Sequence, residues 1–270
     1  MTALTGHNRG DYRVTMGRVV RSEWTKLRSM RSTWVMLAAA ALLTIGLAAA
    51  FGYGYGQQIH SGEVHPSAAE AASAAFLGLD LFALVVGVFG VMRMTGEYGS
   101  GLIGASLLAV PRRLPVLWAK ALALAAVIAP VALAVSVASF LISQVFAGSH
   151  GAGLGDPGVP RAILGAAAYP VAMGLLGLGI GAILRHTAAA ITVFAAALLV
   201  IPALLPAALS QQAQDAVMKY LPVVAGQAMF DLGEAGPVRL LAPGAAAVVL
   251  AGYVIVLLAG GAALLQRRDA

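Results

Sequence analysis

Six stretches of the chain are continuously apolar, and polar residues gather in the short breaks between them. The stretches run Thr33–Phe51, Ala74–Met94, Val116–Phe140, Ala162–Leu184, Ala188–Leu205 and Pro243–Leu265. Each matches the roughly 20 residues, range about 17–25, that a helix needs to cross a hydrocarbon core. The runs are solidly apolar rather than alternating, so they predict membrane-spanning helices and not barrel strands. The fifth is the shortest, and Pro202 and Pro206 are expected to break its far end.

Ahead of the first stretch the pattern changes period. Met16, Val20, Trp24 and Leu27 recur at three and four residues, so they share one helical face. Arg18, Arg21, Thr25, Lys26, Arg28 and Ser29 occupy much of the remainder. This predicts an amphipathic helix within residues 14–31, lying along the headgroups with Trp24 at the interface. It serves as an anchor for the first span, as a lever against a partner, or as both.

The breaks differ in character. Gly52–Ser73 is polar and short, and its His60 and His65 read as solvated residues because no organised set of carboxylates accompanies them. Gly148–Pro160 is rich in Gly and Pro and predicts irregular structure. Ser210–Arg239 is the longest. Gln211, Gln212, Gln214, Asp215 and Lys219 punctuate an amphipathic piece around Ala213–Leu221. A short helix at the outer leaflet is expected there, limited by Pro222 and Gly226.

Composition and charge sharpen this reading. The 270 residues are 60 % hydrophobic and only 10 % charged, with a mean hydropathy of +0.87. That is too little polar surface to cover a soluble domain. The length suits one membrane domain spanning residues 1–270. No cysteine is present, which excludes disulfides and thiolate metal sites. The long basic lead-in and the full-length first stretch do not fit a cleavable signal. The net charge of +6 does not imply nucleic acid, because the basic residues cluster at the feet of the apolar runs.

Their distribution sets a topology. With both termini in the cytoplasm, only Arg161, Lys219 and Arg239 of the 17 Lys and Arg fall outside. The inner set includes Arg9, Arg13, Arg18, Arg21, Lys26, Arg28 and Arg31, then Arg93, Arg112, Arg113 and Lys120, then Arg185, Arg267 and Arg268.

Candidate functional residues are few. The break between the second and third spans reads Gly96-Glu97-Tyr98-Gly99-Ser100-Gly101-Leu102-Ile103, then Val110-Pro111-Arg112-Arg113. Leu102, Ile103, Leu107 and Leu108 form an apolar set at helical spacing, consistent with a short docking helix or with a plain turn. Asp80 is the one acid well inside an apolar run. It either reaches interfacial water, pairs across the bundle, or belongs to a path. Gly174, Gly177, Gly179 and Gly181 in the fourth span predict close helix packing or bending. No GxxxxGK[ST] loop, HExxH or nucleophile elbow occurs, so the chain is expected to do no covalent chemistry itself.

Three segments resemble the permease subunit of ABC-2 type ABC transporters, in the form common in actinobacteria. They are Ser22-Glu23-Trp24-Thr25-Lys26-Leu27-Arg28-Ser29 leading to Arg31-Ser32-Thr33-Trp34, then Thr95 through Ile103, then Pro111-Arg112-Arg113 with Lys120. The resemblance covers nearly the whole chain. It implies an all-α bundle of six spans, with Glu23, Trp24, Lys26, Leu27 and Arg28 on an interface helix. It also implies a coupling loop holding Glu97, Tyr98, Gly101, Leu102, Ile103, Pro111, Arg112 and Arg113. The implied partners are cytoplasmic ATPase subunits carrying ATP and Mg, a second permease and membrane lipids in a bacterial cytoplasmic membrane. Gly99 and Leu102 depart from the family's more usual polar residue and Thr. Two other classes fit the residues alone. One is an ion-gradient-driven carrier, which would need Asp80. The other is a membrane anchor or assembly protein with no substrate path.

Overall fold

The computed structural model describes residues 15–61, 73, 75–99, 114–148, 151–232 and 240–267, and all of its regular structure is helical. Helix α1 covers Met16–Ser29. Six long apolar helices follow: α2 Arg31–His60, α3 Leu79–Gly99, α4 Leu114–Ala147, α5 Val159–Leu184, α6 Thr187–Ala208 and α9 Pro243–Arg267. Each is long and apolar enough to cross a membrane. Two short helices, α7 Gln211–Val217 and α8 Pro222–Ala228, lie between α6 and α9. The chain is therefore an all-α multipass membrane protein.

Helices α3 and α5 form the centre and are buried over more than half of their apolar windows. Helices α2, α6 and α9 surround them and leave most of theirs unburied. Val35, Leu42, Leu204, Val248 and Val256 face outward from these peripheral helices, as expected where lipid is the solvent.

The α3–α5 contact is built from glycine. A Cβ on Gly90 would run into the Gly174 carbonyl, one on Gly177 would run into the Gly87 carbonyl, and Gly181 sits against Val91 and Met94. Removing side chains at this seam lets the two backbones touch, the packing role expected of the fourth-span glycines.

Several boundaries differ from the sequence reading. Helix α2 continues to His60, because Gly54 and Gly56 are tolerated within it. The second crossing starts at Leu79 rather than Ala74, since residues 75–78 form turns. At its other end α3 extends to Gly99, so Glu97 and Tyr98 are helical rather than part of a loop. Helix α4 runs on to Ala147, past Pro130, and ends at Gly148 with φ +58. Pro202 and Pro206 do not break α6. A π-helical segment, Ala196–Val200, precedes Pro202 and widens the turn. The wider register absorbs the missing N–H of the proline. Pro222 opens α8 and Gly226 lies inside it, so they do not bound one amphipathic piece. Val223, Val224, Ala225 and Gly226 are all buried. Gly226 lies against the Tyr169 ring, where no Cβ would fit.

Candidate functional site

One end of the bundle gathers α1, the last turn of α3 and the first turns of α4. Helix α1 buries Val19, Glu23 and Leu27. This face is turned from the one the apolar spacing predicts, for Met16 and Trp24 remain 39 % exposed. An acid in the buried stripe explains the difference. The apolar spacing leaves Glu23 out of the buried face, whereas its ion partners bring it inside.

Those partners are specific. The Lys120 ammonium donates to Glu23 Oε2 at 2.9 Å and to Glu97 Oε1 at 2.5 Å. Lys26 donates to Glu23 Oε1 at 2.6 Å and to Glu97 Oε1 at 3.1 Å. The Arg93 guanidinium stands 4.0 Å from Glu23 Oε2. The Lys120 and Glu23 side chains are only 2 % and 4 % exposed, while Lys26 is 39 % exposed. Burial pushes the Glu23 carboxyl up, but Lys120 and Lys26 outweigh that and hold it below the usual carboxylate range. For Lys26 burial pulls downward, and Glu23 with Glu97 reverse it, leaving the ammonium above its ordinary value. Buried ion pairs of this kind add little net stability, because desolvation offsets the attraction. Breaking one is nevertheless costly, so the cluster fixes how α1 sits on α3 and α4.

Further contacts close the same end. Arg93 reaches Met30 Sδ at 3.1 Å, and Trp34 Nε1 donates to the Arg28 carbonyl at 3.2 Å. Arg185 adopts φ 57 at the tight α5–α6 turn. Its guanidinium donates to the Leu264 carbonyl at 3.0 Å and lies 5.2 Å from the Tyr98 ring centroid. Arg185 thus ties the ends of α3, α5 and α9.

The structure brings Glu23, Lys26, Leu27 and Glu97 into one place and sets Tyr98 beside it. Trp24 and Arg28 lie on the exposed side of α1. Gly101, Leu102, Ile103, Pro111, Arg112 and Arg113 lie outside the described residues, as does His65. Sequence reasoning missed Arg93 and Arg185 as functional groups, and used Lys120 as a topology marker and as part of the family resemblance without giving it a functional role. A single Lys two turns inside an apolar helix was the available signal, since such a cation needs a buried acid.

Asp80 belongs to the opposite end. It sits in the first turn of α3 rather than deep in a helix. Tyr169 Oη donates to its Oδ1 at 2.8 Å, and Gln227 Nε2 donates to its Oδ2 at 2.7 Å. It therefore pairs across the bundle, to α5 and α8. Among the described residues no group of His, Asp and Glu is arranged to hold a metal.

A family model described as an ABC-2 family transporter protein matches residues 19–184. The matched region spans α1 through α5, including the ion cluster, Asp80 and Tyr169, and it stops short of Gln227. No curated protein matches the chain.

Proposed function

The chain belongs to the ABC-2 family of transporter proteins, and from that premise we propose that it is the permease half of an ATP-driven exporter served by a separate ATPase. The family is one of non-catalytic membrane permeases. In this reading the α1 end faces the cytoplasm. Arg18, Arg21, Lys26, Arg28, Arg31, Arg93, Lys120, Arg185 and Arg267 lie at that end, against Arg161 and Lys219 at the other. Helix α1 then lies at the inner headgroups with Trp24 toward lipid.

The observation that carries the reading is the Glu23–Lys120–Glu97 cluster. It joins α1 to both helices that flank segment 100–113, the stretch that resembles a coupling loop. A push on α1 or on that segment would reach α3 and α4 together. ATP and Mg would be held by the ATPase, whose closure would drive a two-state helix bundle. A second permease completes the path, in a bacterial cytoplasmic membrane. Outward direction rests on the resemblance.

Purification from native membranes in mild detergent tests this. An ATPase subunit should accompany the chain, and ATP should drive substrate movement in reconstituted vesicles. A complex with no ATPase, or transport that ignores ATP and collapses with the proton or sodium gradient, would move the chain to the secondary-carrier class.

A further inference from the structure

A cavity of about 770 Å³ opens beside Asp80, between the first turn of α3, the π-segment and following turns of α6, and α8. Its walls are mostly apolar. Three aromatic side chains, Tyr55, Phe76 and Phe230, contribute to them. Phe76 and Phe230 meet edge to face with centroids 5.4 Å apart. The charged residues on the wall are Asp80 and Asp231, and no Lys, Arg or His of the described residues lines it. Arg161 stands nearby, with its guanidinium given to the Met229 and Asp231 carbonyls.

The Asp80 carboxylate is what makes the cavity selective. Both of its oxygens accept hydrogen bonds from neutral donors, Tyr169 and Gln227, so the network is laid out for an acceptor-only, ionised group. Among the described residues no cation pairs with it. A part-buried negative charge with no cation of the described residues beside it, in a mostly apolar cavity that Tyr55, Phe76 and Phe230 help to line, matches the chemistry that recognises organic cations. An apolar body would fill the volume, and the positive centre would lie toward Asp80.

We propose that this cavity binds amphiphilic organic monocations, and, on the permease reading above, that such compounds are the substrate class at its outward end. Anions are disfavoured by Asp80, and neutral compounds gain only the apolar contact.

The test uses the purified full chain without any ATPase, so its outcome is independent of whether an ATPase partner is found. Saturable binding of radiolabelled tetraphenylphosphonium is measured, with neutral triphenylphosphine oxide as competitor. Saturable uptake that the neutral compound displaces only weakly is expected. Asp80→Asn keeps the size and an acceptor for Tyr169, and the Gln227 amide can turn over to accept. It should weaken cation binding at least about tenfold, while Asp80→Glu retains most of it. Ala203→Trp, an exposed position on the α6 wall, should block the cavity without touching the Asp80 network. That second variant keeps the test decisive if Asp80→Asn fails to fold. Absence of saturable binding, equal displacement by the neutral compound, or unchanged affinity in Ala203→Trp would overturn the proposal. So would unchanged affinity in a folded Asp80→Asn.

Discussion

Replacing Lys120 by Met removes the most buried ammonium of the ion cluster and leaves its carboxylates in place. Lys120 bridges Glu23 and Glu97, and the Lys120 and Glu23 side chains are almost wholly out of water. Removing one partner from a buried pair costs about 3–5 kcal/mol. The lower end applies here. Lys26 already touches both carboxylates but is 39 % exposed, so water screens it. Arg93 stands at the limit of an ion pair. A loss of about 3 kcal/mol in the docking of α1, at about 1.4 kcal/mol per decade, raises its undocked population about a hundredfold. The chain has no cysteine, so Leu27→Cys, at a position 2 % exposed, reports docking cleanly. Maleimide should label Cys at that position about a hundredfold faster when Lys120→Met is added. Adding Glu23→Gln as well should recover part of the loss, a non-additivity expected of groups in contact. Equal labelling rates with and without Lys120 would refute the reasoning, because Lys26 and Arg93 would then suffice.

The same cluster sets a pH response. The Glu23 carboxyl is lowered, so its contribution holds above the ordinary carboxylate range and is lost as pH falls through the depressed value. The Lys26 ammonium is raised, so its contribution holds below the ordinary lysine range and is lost as pH climbs through the elevated value. A spin label at position 27 should be immobile through neutral pH and loosen at both extremes; mobility that changes near neutrality would contradict this. Gly177→Val should lower Tm through a clash worth about 1–3 kcal/mol or more, whereas Gly46→Ala, with open space around it, should be tolerated. Similar Tm losses in both would count against the glycine seam. Glu97→Ala should leave membrane insertion intact and reduce substrate moved per ATP hydrolysed in vesicles. An unchanged ratio would strike Glu97 from the proposed coupling contacts.

The crossings were legible because burial in lipid demands continuous apolar runs, and each expected run falls largely within a helix. Their ends were less so. Hydropathy stops where polar residues begin, but a helix continues as long as its backbone bonds allow, as α2 does to His60 and α3 to Gly99. Pro202 misled for a related reason, since a π-turn relieves it without ending the helix. The ion cluster was legible only in pieces. Glu23, Lys26, Glu97 and Lys120 each carried part of the family likeness, but Lys120 joins Glu23 across 97 positions of sequence, a distance that no local pattern records. The buried face of α1 was misjudged because any hydrophobicity scale counts a paired acid as polar. Helix α8 escaped notice because seven residues between Pro222 and Ala228 are too short to show a period.

The glycine seam bears on which parts of the bundle are free to move. Where two backbones lie carbonyl against hydrogen, no rotamer is available to let one slide past the other. Helices α3 and α5 should therefore travel as one rigid beam. Any opening toward either face of the membrane must be taken up by α2, α6 and α9, whose side chains have lipid on one side and room to reorient.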